Sequence, residues 1–150
     1  MGRRSFGFTL VELMLVVAIV GILAAIAVPN LARAIERARQ RRTMSDIRAV
    51  ANAVSSYGVD FAQVPQVAEG TVSDILPYIS PTYLRRKPTT DGWSNPLHYY
   101  GASLDYTVWS FARDGVQQST LLFRATTNFD ADIVMVNGIF VQWPEGMQVK

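Results

Sequence analysis

The chain contains no cysteine, which excludes a disulfide scaffold, thiolate metal sites and cysteine nucleophiles. The compartment stays open, because an exported domain dispenses with disulfides when its core is large enough or a metal braces it. Histidine occurs once, at His98, with no H-E-x-x-H partner and no G-x-S-x-G nucleophile in the chain, and phosphate loops and dinucleotide fingerprints are missing as well. His98 alternates with aromatic residues in a strand-like run and reads as a surface strand residue. This thin inventory points away from an enzyme, although carboxylates far apart in sequence can still converge. Charge is scarce too: charged residues make up 17% of the chain, and 14 basic side chains against 12 acidic ones leave a net charge of +2. Two of the basic residues, Arg3 and Arg4, lie at the extreme N-terminus, and without them the two signs balance. Such a balance is no electrostatic footprint for nucleic acid.

Apolar residues, by contrast, make up 49% of the 150 residues and crowd into the first thirty positions. The length accommodates one compact domain with an N-terminal extension. Phe8 to Val28 reads FTLVELMLVVAIVGILAAIAV, with Glu12 as its single charge. At about 1.5 Å per residue, a helix of this length crosses a hydrocarbon core of about 30 Å. A secretory signal would have a shorter apolar region followed by a small-residue cleavage site. Here the small residue, Gly7, precedes the apolar run, and Arg3 and Arg4 precede Gly7. An intramembrane carboxylate costs about 2.5–3.5 kcal/mol on insertion scales, so Glu12 calls for a partner unless it stays wet near the helix end.

Pro29 follows the run and is placed to kink the helix. Leu31, Ile35, Met44, Ile47, Val50 or Ala51, Val54 and Tyr57 then recur at mostly three- and four-residue spacing, one apolar stripe of a helix that continues from Phe8 to Tyr57, with Gly58 as its stop. Arg33, Arg37 and Arg41 are i, i+4 neighbours with Glu36 nearby. Such a face meets solvent, lipid head groups, acids of a neighbouring subunit or nucleic acid, and the lack of interleaved aromatics speaks against the last. From Val59 to Thr90 the chain is irregular and proline-rich, with a short helix around Val72 to Leu76. Strand-like runs follow at Leu97 to Tyr100, Tyr106 to Ala112, Leu121 to Ala125, Ile133 to Val136 and Ile139 to Trp143. The last two are joined by Asn137-Gly138, a strong hairpin signal. The fold expected is α+β: a long N-terminal helix, half membranous and half amphipathic, packed on a small antiparallel sheet.

MGRRSFG followed by FTLVELMLVV resembles the signal of type IV prepilins and type II secretion pseudopilins. The resemblance implies a leader at residues 1–7, cleaved by prepilin peptidase after Gly7, and methylation of the new N-terminal amine of Phe8. Residues 8–29 become the membrane and filament-core helix, and residues 30–150 the amphipathic helix and pilin-like head. It also implies that Glu12 pairs with the Phe8 amine of its own or a neighbouring subunit and sets the filament register. PTYLRRKPTTDGWSNPLHYY, then DYTVWSFARDG, is similar to the major pseudopilin of type II secretion. In that family Asp91, Trp93, Asn95 and Pro96 make a structured turn with a buried tryptophan.

The function implied is a structural subunit of a homopolymer, driving protein export from the inner membrane with an assembly platform and minor pseudopilins. A type IV pilus subunit and a non-polymerising, membrane-anchored binding domain are the alternatives. The resemblance puts the C-terminal domain in the periplasm, whereas Arg33, Arg37, Arg39, Arg41 and Arg42, counted by the positive-inside rule, point the other way. It further implies a calcium ion in the head, with Asp114, Asp130 and Asp132 as the matching acids. These do not form an EF-hand: counting from Asp130, Met135 stands where that loop needs glycine and Val141 where it needs glutamate. The other reading of Asp130 and Asp132 is that they cap the final hairpin and keep its edge soluble.

Overall fold

The structure, a computed structural model, describes residues 7–147; Arg3, Arg4 and the rest of the expected leader before Gly7 lie outside the described residues. The chain divides into two units, Met1–Glu36 and Arg37–Lys150. Helix α1 covers Leu10–Phe61, with Pro29 inside it. In the first unit its apolar side chains are open: Leu10, Val16, Leu23 and Ile26 all stand exposed, and none of its most hydrophobic window is buried. A surface of this kind is unstable in water and calls for lipid or protein around it.

In the second unit α1 turns one stripe inward. Met44, Ile47, Val50, Ala51 and Val54 are buried, so both candidates at the Val50/Ala51 step face the core. The helix runs past Gly58 and ends at Phe61, where Ala62 adopts a left-handed φ of 54°. Tyr57 stacks on Phe61 one turn on, ring centroids 4.4 Å apart, and meets Tyr78 and Tyr83 edge-on. These contacts carry the helix beyond the glycine.

Strand β1 (Val67–Thr71) leads into α2 (Val72–Ile79), which buries Val72, Ile75 and Ile79. Next come β2 (His98–Ala102), β3 (Asp105–Ser110), β4 (Ala125–Thr126), β5 (Ile133–Val136) and β6 (Ile139–Pro144). They form a six-stranded sheet in the order β1-β2-β3-β5-β6-β4. All pairings are antiparallel except β4 with β6, which is parallel. Period-two alternation puts Tyr106, Val108 and Ser110 of β3 inside and Thr107 and Trp109 outside. The expected Leu121–Ala125 strand shrinks to β4, while β1 arises in a segment whose only large apolar residue is Val67. The buried tyrosines keep their hydroxyls satisfied: Tyr99 donates to the Pro65 carbonyl at 3.0 Å, and Tyr106 to the Ala51 carbonyl at 3.1 Å. Asn137 and Gly138, with φ of 48° and 83°, make the β5–β6 turn.

The turn after β1 and α2 is organised by a buried acid. Asp91 is 2% exposed. Its Oδ1 accepts the amides of Trp93 and Asn95 at 2.8 and 2.9 Å, and its Oδ2 accepts the Ser110 hydroxyl at 2.7 Å. Asn95 donates through Nδ2 to the Ala112 carbonyl at 2.7 Å. The turn reaches α1 through Gly92, whose amide donates to Thr43 Oγ1 at 2.9 Å; a Cβ on Gly92 would sit 2.5 Å from the Arg39 carbonyl oxygen. The buried residue is therefore the aspartate, and Trp93, expected inside, is only half-buried. Replacing Asp91 by alanine orphans these donors, and the full chain in detergent should lose about 2–4 kcal/mol in chemical denaturation. An unchanged midpoint would refute the organising role.

Candidate assembly site and head loop

At the N-terminus the pattern T-x-x-E folds into a capping box around the first turn of α1. The Glu12 Oε2 accepts both the backbone amide and the hydroxyl of Thr9, at 2.9 and 2.7 Å. The Glu12 amide in turn donates to Thr9 Oγ1 at 3.2 Å. The carboxylate thus has a local partner that the sequence reading passed over, although the motif was legible in TLVE. Gly7 and Phe8 stand exposed just before the helix, and no atom comes within 4 Å of a Cβ built on Gly7.

In the head, the acids expected to bind calcium do not converge. Among the described residues no group of three or more histidine, aspartate or glutamate side chains is placed to hold a metal ion. The Arg113 guanidinium takes Asp130 in a fork, Nε to Oδ1 at 2.7 Å and Nη2 to Oδ2 at 2.8 Å, and that hydrogen-bonded ion pair holds the Asp130 carboxyl below its ordinary range. Asp114 Oδ1 accepts the Val116 amide at 3.2 Å. Asp132 is buried and exchanges bonds with Gln118: its Oδ2 accepts the Gln118 amide at 3.0 Å, and its own amide donates to Gln118 Oε1 at 3.1 Å. The Oδ1 of Asp132 has no partner among the described residues. The fully buried Gln142, which sequence reasoning also missed, donates to Gln118 Oε1 at 2.6 Å and to the Asp132 carbonyl at 2.8 Å, and accepts the Leu122 amide at 2.7 Å.

One position differs from expectation, and one contact was not foreseen. His98 is half-buried rather than a surface residue, stacked on Trp109 and tilted against Phe111, and burial lowers its pKa. Arg86, in the basic run before the turn, reaches back to the buried Asp46 of α1 at 3.0 Å.

A long helix with an open apolar surface and a capped glutamate near its start, followed by an α+β head, defines the class: a pilin-like protein with a helix long and apolar enough to cross a membrane. The comparisons agree. The prokaryotic N-terminal methylation motif matches residues 2–28, and the type II secretion system protein G family matches residues 30–129. The chain is 38% identical to the type II secretion system core protein G of Aeromonas hydrophila, over 63% of this chain and 71% of the relative. It is 36% identical to that of Vibrio cholerae over 65% and 71%, and 33% identical to that of Pseudomonas aeruginosa over 75% and 87%. The chain belongs to the type II secretion system protein G family.

The orphan oxygen of Asp132 sets a pH dependence. Burial pushes its carboxyl up to about 6 from an ordinary 3.8, the charge of Asp114 adds to this, and the Gln118 amide opposes it. A carboxyl raised in the folded state binds its proton more tightly there. Its contribution to stability is complete below the unfolded value and is lost as pH rises through the folded one, about 3 kcal/mol in all. Asp132→Asn removes that loss, so at pH 7 the variant should melt above the parent and at pH 4 the gap should close. A gap that is the same at both pH values would show that Asp132 does not titrate in this way.

Proposed function

We propose that this chain is the major structural subunit of a type II secretion pseudopilus, polymerised from the inner membrane to drive protein export. The observation that carries this reading is the pairing of the two family matches on one chain. The methylation motif covers the exposed apolar helix, and the protein G match covers most of the head. The head offers a folded surface for stacking, and the helix offers an apolar surface that leaves the bilayer only when other helices replace the lipid.

In this reading prepilin peptidase cuts between Gly7 and Phe8, and the new Phe8 amine is methylated. The amine then lies beside the Thr9–Glu12 box. Glu12 enters the membrane already hydrogen-bonded, which lowers the cost of carrying a carboxylate into hydrocarbon. In the filament the Phe8 amine of a neighbouring subunit completes its charge neutralisation and sets the axial register. The head faces the periplasm, and an assembly platform and minor pseudopilins are the remaining partners. The fit of the head to a secretion-system family favours a pseudopilus over a surface pilus.

Two measurements test this. Mass spectrometry of the chain made beside a prepilin peptidase should give a protein starting at N-methylated Phe8; an intact Met1 terminus would contradict the reading. Glu12→Ala should insert at least as well as the parent but give at least about tenfold fewer filaments, the order expected for losing one desolvated ion pair. Polymerisation at the parent's level would sink the register role.

A further inference from the structure

The loop between the end of β3 and the start of β5 carries only the short β4. Its ends are held at one point. The Arg113 amide donates to the Phe129 carbonyl at 3.3 Å, its guanidinium lies 6.0 Å from the centre of the Phe129 ring, and its fork binds both oxygens of Asp130. Asp130 is fixed in turn by its amide, which donates to Asn128 Oδ1 at 3.0 Å. Inside the loop, Gln118 is bolted to Asp132 and Gln142.

A calcium ion takes about six to eight oxygen ligands at about 2.3–2.6 Å and needs its carboxylates free of other cations. Asp130 fails this requirement, since both of its oxygens are committed to a guanidinium. Asp132 has one oxygen on the Gln118 amide, leaving a single orphan oxygen near Asp114. The donor set therefore does not fit the ion that the family resemblance implies.

We propose that in this chain the Arg113 guanidinium does the work of a metal: its permanent positive charge, forked onto Asp130, closes the loop at residues 113 and 130, and the head holds its fold without calcium. Arginine suits the task. It is always charged, and its planar fork matches a carboxylate in two parallel bonds, which fixes direction as well as distance. Its cost is also low, because Arg113 and Asp130 are partly solvated, with side chains 47% and 34% exposed, and neither charge is stripped of water in the way a deeply buried pair would be. Unlike a bound ion, the link does not depend on the free calcium concentration outside the cytoplasm. The proposal concerns the head alone and stands whether or not the chain polymerises.

The test uses the full chain in detergent, melted with millimolar calcium and again with EGTA, with hydrogen–deuterium exchange read over residues 114–129. The parent should melt at one midpoint in both buffers and exchange equally. Arg113→Gln should lower the midpoint by roughly 2 °C and speed loop exchange roughly two- to fivefold in both buffers. Adding Asp130→Asn to that variant should change little more, because the pair is already broken. A calcium-dependent rise in the parent's midpoint, abolished by Asp130→Asn alone, would overturn the proposal by making Asp130 a metal ligand. Loop exchange unchanged in Arg113→Gln would overturn it too. The parent measurement needs no variant to fold, so a poorly folding variant does not shield the idea.

Discussion

The head is organised around one of its buried carboxylates, that of Asp91. Asp91 has almost no access to water, and its two oxygens accept two turn amides and the Ser110 hydroxyl at the end of β3. A buried charge without partners would cost several kcal/mol, so its presence obliges the turn to keep its shape. The obligation propagates. Ser110 Oγ also accepts the Ala112 amide, Asn95 holds the Ala112 carbonyl, and Gly92 brings the turn against the α1 backbone at Arg39 and Thr43. One side chain thus fixes where β3 ends, where the following loop departs and how the turn meets the helix. The apolar core of Ile47, Val54, Ile75, Tyr99, Val108 and Ile133 supplies the bulk of the driving force, but it is non-directional and would tolerate small slips that the hydrogen bonds to Asp91 do not.

The same division recurs along the rest of the head. Arg86 reaches Asp46, Asn137 in the β5–β6 turn accepts the Tyr106 amide and donates to Asp105 of β3, and Gln142 joins the Gln118 loop to the sheet. Each is a directional polar link between segments far apart in sequence. A filament subunit benefits from this arrangement, because the stacking surfaces of successive copies match only if each head holds one conformation.

The membrane helix obeys a different constraint. With no protein around its side chains it is stable only in lipid or against like helices, and its one carboxylate has to be satisfied at every stage. The Thr9–Glu12 box does this locally, through the amide and the hydroxyl of Thr9.

Where apolar periodicity or turn chemistry is local, the amino-acid sequence by itself determined the outcome. The membrane segment, the inward stripe from Met44 to Val54, the Asn137-Gly138 hairpin and the α+β class were all legible, because spacing along one element decides which face is apolar and φ > 0 needs particular residues. The motif around Gly7 and Glu12 identified the family for the same reason, being contiguous. What the tertiary structure alone decided depends on partners distant in sequence. β1 exists because β2 offers it an edge, since Val67–Thr71 carries no alternation of its own. α1 outruns Gly58 because Tyr57 packs on Phe61, Tyr78 and Tyr83. Trp93 stays half-buried while Asp91 goes inside, an inversion of hydrophobic expectation that only the turn amides and Ser110 make affordable. And Asp130 faces Arg113 rather than Asp114 and Asp132, because residues 113 and 130 meet only when the loop between them closes, and a carboxylate in that position goes to the cation nearest in space.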